Sequence, residues 1–285
     1  MALLGSAALA GPASLRAQSA APVAPPVAPP AATPAEPLAI GETFTIQSRV
    51  LGEVRRINVY RPPAYGEAPG AARPVLYMPD GGVAEDFLHV AGLLQVSVGN
   101  ATMRPFLLVG IENTERRRDT TGPTSVASDR KIAPRVGGSA AFRTFIRTEL
   151  MPTVRARYAT TGETAVVGES LAGLFVVETF LLEPGLFDSY LAFDPSLWWD
   201  GGRLVKEAAE RIRAHPAAPK VLYLASSDEP ELMRLTGELA AILEAGKFPG
   251  LRWQYHPMPE EGHGTIYHPA ALRAFRLLFA PAGAK

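Results

Sequence analysis

The stretch AVVGESLAGLFVV, residues 165–177, sets a single hydroxyl, Ser170, among small residues, with an apolar run on either side. It approximates the nucleophile elbow G-x-S-x-G, in which a sharp strand-to-helix turn exposes a serine. Gly168 takes the first small position, Ala172 departs from the second, and Gly173 comes one residue late. The elbow needs small residues because strand and helix backbones come close together there. A serine hydroxyl is a weak nucleophile until an adjacent base takes its proton. A histidine is therefore sought downstream, with an acid between the two, in the order Ser, acid, His.

Five histidines are present. His263, in MPEEGHGTIYHP, lies between two glycines after the last strand-like run and is the preferred base, with His268 as the alternative. The preferred acid is Asp228, at the end of KVLYLASSD, with Glu229 and Glu231 as rivals. These carboxylates also suit a helix N-terminus for purely structural reasons. Acyl transfer needs donors for a developing oxyanion. The N–H of Leu171 supplies one by position, and Gly82 in VLYMPDGG, or else Gly81, supplies the second. Arg118, in the polar loop 112–119, is a candidate contact for an anionic substrate group. Trp198 and Trp199 are candidates for an acyl or aromatic pocket, with burial in the core as the equal alternative. There is no cysteine and no H-E-x-x-H spacing, so neither a metal site nor a cofactor is expected.

These side chains require a scaffold that gathers distant segments. FTIQSRVLG and RRINVYRPP read as an antiparallel hairpin turning at Gly52-Glu53. RPVLYM, PFLLVGI, TAVVG, SYLAF, KVLYLAS and LRWQYHPM read as strands, several apolar throughout, as strands buried on both faces are. Helices are expected over 139–158 with a kink or the start of a separate turn at Pro152, over 171–183, over 202–214, over 230–246 with Gly246 as C-cap, and over 269–279. This alternation predicts an α/β three-layer sandwich with a mostly parallel central sheet and an N-terminal antiparallel hairpin. The helix after Ser170 is apolar on nearly every side, which marks it as central. Ser170 then sits at the carboxyl end of a central strand, where open α/β sheets bind ligands.

RPVLYMPDGG, LLVGIENTERRRDTTGPT, VVGESLAGLFVVETFLLEPGLFDSYLAFDPSLWWDGGRLV and EEGHGTIYHPAALRAFRLLF together resemble the putative esterase family of α/β-hydrolases. That family includes esterase D-like enzymes and the enterochelin trilactone esterases. The resemblance runs from about residue 40 to 280, and Pro195–Trp199 is its most characteristic segment. It implies an α/β-hydrolase fold and a serine ester hydrolase with nucleophile Ser170 and base His263, acting on a small-molecule ester, with a siderophore ester as a candidate. Members commonly carry His at the position of Glu169, Gly at Ala172 and often Ser at Asp194. In some relatives a Ser-His pair suffices, so the acid stays open. Two other readings of the same fold are a non-catalytic binding protein and an acyltransferase.

The 285 residues suffice for one sizeable core. Lys plus Arg and Asp plus Glu number 28 each, a balance that gives no support to a nucleic-acid binder. Residues 1–20 carry only Arg16 as a charge and resemble the apolar part of a secretory signal. Residues 21–39 form an Ala/Pro-rich linker, and 40–285 the hydrolase domain. Export to the periplasm or medium is the corresponding expectation, with no integral membrane segment in the mature chain, since no other apolar run reaches roughly 20 residues.

Overall fold

Alternating side-chain direction along the strands explains the layers. In β3 (Arg73–Met78), Val75 and Tyr77 face one core while Leu76 and Met78 face another, as a period of two requires. The computed structural model of the chain describes residues 33–215, 218–281 and 283. The expected signal segment 1–20 lies outside the described residues, as does most of the linker. A compact unit begins at Ala39.

Its sheet has eight strands: β1 (Glu42–Gln47), β2 (Val54–Tyr60), β3, β4 (Leu107–Ile111), β5 (Thr160–Glu169), β6 (Ser189–Phe193), β7 (Lys220–Ser226) and β8 (Leu251–Pro257). The spatial order is β1-β2-β4-β3-β5-β6-β7-β8. β1 pairs antiparallel with β2, and β2 antiparallel with β4; every later pairing is parallel. This is the mixed sheet that the hairpin and the alternation predict.

On one face lie α1 (Phe87–Gly99) and, at the chain end, α8 (Tyr267–Leu278). The other face carries α3 (Ser139–Phe145), α4 (Met151–Arg157), α5 (Ser170–Leu182), α6 (Trp199–Arg213) and α7 (Pro230–Gly246). A short α2 (Arg116–Asp119) follows β4. Helix α5 is buried from Leu171 to Leu181, so its uniformly apolar sequence does mark the centre. No described helix is long and apolar enough to cross a membrane.

Local structure differs from expectation in four places. Between β3 and β4 the chain forms α1, a helix not expected from its sequence pattern. The helix expected over 139–158 is split by a π-helical segment, Ile146–Leu150, just before Pro152; the ring cannot tolerate a regular α-turn on its N-terminal side. At the start of α6, Asp200, Gly201 and Gly202 have left-handed backbone angles. At the end of α7, Lys247 (φ 42°) rather than Gly246 takes the left-handed cap. Gly246 is small for another reason: a Cβ there would meet the Phe248 ring at 2.3 Å.

Candidate active site

β5 ends at Glu169, and Ser170 opens α5 with φ 58°. A serine in this region is uncommon and strained. The turn is held by close packing. A Cβ on Gly168 would lie 2.7 Å from the Ala172 backbone, and one on Gly173 would lie 2.9 Å from the Phe193 carbonyl. The late glycine thus has a cause: Gly173 faces the end of β6, and Ala172 has room for its methyl.

The His263 imidazole lies over this turn. Its Nε2 is 3.1 Å from Ser170 Oγ, and its Nδ1 is 2.7 Å from Asp194 Oδ2. Asp194 directly follows β6, with φ 44° and a fully buried side chain. Ser227 fixes it: the backbone N–H donates to Oδ1 at 2.8 Å and the hydroxyl to Oδ2 at 2.6 Å. Burial works against its charge, but the donors from His263 and Ser227 outweigh that and hold the carboxyl below its ordinary range. The hydrogen bond to Asp194 pushes the His263 pKa upward, against partial burial.

Asp228 is not the acid that meets the imidazole. Its side chain is exposed, and its backbone N–H donates to the Glu261 carbonyl at 2.9 Å, tying the histidine loop to the end of β7. The acid comes one strand earlier, from β6, which is adjacent to the serine strand. The order Ser, acid, His is preserved. The sequence signal was LAFDP, an aspartate at the end of an apolar strand.

Glu169 adds a second carboxyl. Its Oε1 lies 3.3 Å from His263 Nδ1 and is buried without a hydrogen-bond partner. Burial raises its pKa to about 8; His263 and Arg116 oppose the rise, while Asp194 and Asp86 add to it. Glu169, Asp194 and His263 bring three potential ligand atoms within 4.8 Å of one another, but Asp194 and His263 are already committed to each other.

The Leu171 N–H belongs to the first turn of α5, where helix donors lack intrahelical partners. Gly82, expected as the second oxyanion donor, has its N–H engaged by Glu85 Oε2 at 2.6 Å. The alternative, Gly81, donates to the Ile111 carbonyl at 3.0 Å.

A cleft of about 290 Å³ is lined by Ser170, Leu171, His263, Arg117, Trp198 and Leu232, among others. Trp198 is one of these lining residues. Trp199 belongs to the core instead: it is 3% exposed, and its Nε1 donates to the Gly122 carbonyl at 2.9 Å. Arg118 is tied to Glu53 and Asp119, next to the fully buried Arg55, which also bonds Asp119. Burial is outweighed at Glu53 by the donors from Arg118, Thr114 and Arg55, and its pKa falls to about 2. Arg116 is held by both Asp80 oxygens. Among the described residues, the Arg117 side chain has no ion-pair or hydrogen-bond partner. It lines both the cleft and an adjoining cavity of about 640 Å³.

Residues 48–236 match the family described as Putative esterase. The chain belongs to that family. It is a carboxylic ester hydrolase, and it has an α/β-hydrolase fold. Over 246 residues this esterase is 25% identical to the ferri-bacillibactin esterase BesA of Bacillus subtilis, covering 75% of its own chain and 82% of the relative. It superposes on an IroE-like serine hydrolase from Shewanella oneidensis with a TM-score of 0.76 and 30% identity, covering 84% of its own chain and 80% of the other. The fold is shared also with the siderophore hydrolase EstA from Aspergillus nidulans, at a TM-score of 0.71 and 23% identity over 87% and 97% of the two chains.

Proposed function

We propose that the esterase cleaves a siderophore-type ester through an acyl-enzyme on Ser170. His263 takes the hydroxyl proton as Oγ attacks the carbonyl and returns it to the leaving alcohol; water then releases the acid by the same route. Asp194 keeps the proton on Nδ1 and stabilises the imidazolium. The Leu171 N–H receives the oxyanion, joined by Gly82 once the Glu85 side chain swings aside. Arg117 supplies a cation for an anionic substrate group, and Trp198 an apolar wall.

The observation that carries this reading is the 3.1 Å approach of His263 Nε2 to Ser170 Oγ at a left-handed turn. The siderophore assignment is supported by the relatives: besides the bacillibactin enzyme, a salmochelin esterase of Escherichia coli is 24% identical over 164 residues. The charge-poor, apolar start of the chain supports export to the periplasm or medium.

The test is covalent labelling with a fluorophosphonate, followed by turnover of catecholate trilactones, iron-loaded and iron-free, with simple aryl esters for comparison. Labelling of wild type but not Ser170→Ala, with hydrolysis of the trilactones, is expected. Labelling that survives Ser170→Ala would remove the nucleophile, and turnover of aryl esters alone would remove the siderophore assignment.

A further inference from the structure

The Glu169 carboxyl has no structural role that accounts for it. Oε1 is buried with no partner, and a buried polar atom left unpaired is costly. It precedes the serine and lies on the same imidazole nitrogen as the acid, 3.3 Å away against 2.7 Å for Asp194. At these distances Asp194 takes most of the Nδ1 proton's hydrogen bonding, and Glu169 is the nearest alternative acceptor.

We propose that Glu169 is a second acid of this site: a positioning residue that shares the His263 Nδ1 proton with Asp194 and holds the imidazole tautomer when Asp194 cannot. The inference rests on Ser170 and His263 acting as nucleophile and base. Two carboxyls beside one imidazole do different work. Asp194, supplied with donors by Ser227, is the resident anion. Glu169 has no such donors and faces His263, Asp194 and Arg116, with Asp86 and the buried Tyr267 hydroxyl nearby. In the resting site it is favoured as the neutral acid. A proton arriving on His263 makes its ionised form easier to bear, so its help grows as the imidazolium forms.

The experiment compares kcat/KM for wild type, Asp194→Asn, Glu169→Gln and the double variant on one aryl ester from pH 5 to pH 9, with Ser170→Ala as the blank. An amide in place of a triad acid favours the wrong tautomer, a loss of about 10⁴ in the well-studied serine protease template. Here Asp194→Asn is expected to exceed the double variant by about 100-fold near pH 8, a part of that template loss. The gap should close toward pH 5 as Glu169 takes a proton. Loss of the Asp194 charge also moves Glu169 ionisation to lower pH, so the rise in the single variant begins below pH 8. Equal kcat/KM for Asp194→Asn and the double variant at every pH would overturn the proposal. Turnover by Ser170→Ala would instead sink the underlying mechanism.

Asparagine suits the left-handed angle at 194 and retains the bond from the Ser227 N–H. Should it nevertheless fail to fold, Asp194→Ser with and without Glu169→Gln gives the same comparison without an amide at position 194. A purely structural Glu169 would change the melting temperature without producing this pH-dependent gap.

Discussion

Glu169→Gln isolates the cost of burying one carboxyl. An unfolded glutamate ionises near pH 4.5, and burial raises the folded group to about 8. Below pH 4.5 the side chain is neutral in both states, and the variant should match wild type. Between 4.5 and 8 the unfolded wild-type chain releases a proton that the folded one keeps, so wild-type stability falls as pH rises. Glutamine has no such proton. At about 1.4 kcal/mol per pH unit, this window is worth on the order of 5 kcal/mol, levelling off above pH 8. For a domain of this size that is a gap in Tm of roughly 10–20 °C. Thermal melts of the two proteins at intervals from pH 4.5 to 9 read it directly. Curves that run parallel across the window would refute the assignment of Glu169 as a buried, neutral acid.

Gly168→Ala places a methyl 2.7 Å from the Ala172 backbone; it should cost about 1–3 kcal/mol and abolish fluorophosphonate labelling, whereas Ala172→Gly should retain labelling. Arg117→Gln should raise KM for anionic esters by about tenfold, the scale of one charge-assisted hydrogen bond, and leave neutral esters near wild-type KM, as steady-state kinetics would report. Arg118→Ala should act on stability instead, by on the order of 3 kcal/mol in urea denaturation, because it strips a partner from the buried Asp119. The raised His263 pKa places the acid limb of kcat/KM above pH 6.5, since only the neutral imidazole can take the serine proton; a pH–rate profile measures it.

The parts of this molecule that were legible in sequence are those set by local chemistry. Strand–turn–helix around Ser170, the hairpin and the glycine-flanked His263 all follow from hydrophobic period and small residues. The acid did not. Asp228 and Asp194 both end apolar strands, and only the sheet order decides which end lies beside the serine. Arg118 and Arg117 are likewise indistinguishable in a run of three arginines. Glu53, some 65 positions away in sequence, determines which of them is occupied. Trp198 and Trp199 part for a similar reason: the carbonyl of Gly122 captures one indole, and its neighbour is left to the cleft. Helix α1 escaped because its polar residues are scattered over an otherwise apolar segment, which leaves little periodic signal.

Asp80, Ser170 and Asp194 all carry positive φ, and they sit at the tips of β3, β5 and β6, three strands that are neighbours in the sheet. Glycine would relax the chain at each of these tips. At two of them the same exchange would erase the Ser170 hydroxyl or the Asp194 carboxylate, the groups proposed to act with His263. Selection for heat tolerance and selection for turnover therefore pull in opposite directions along this one edge. Laboratory evolution toward a hardier protein should find its gains elsewhere, and variants that gain them here should be stable and inert.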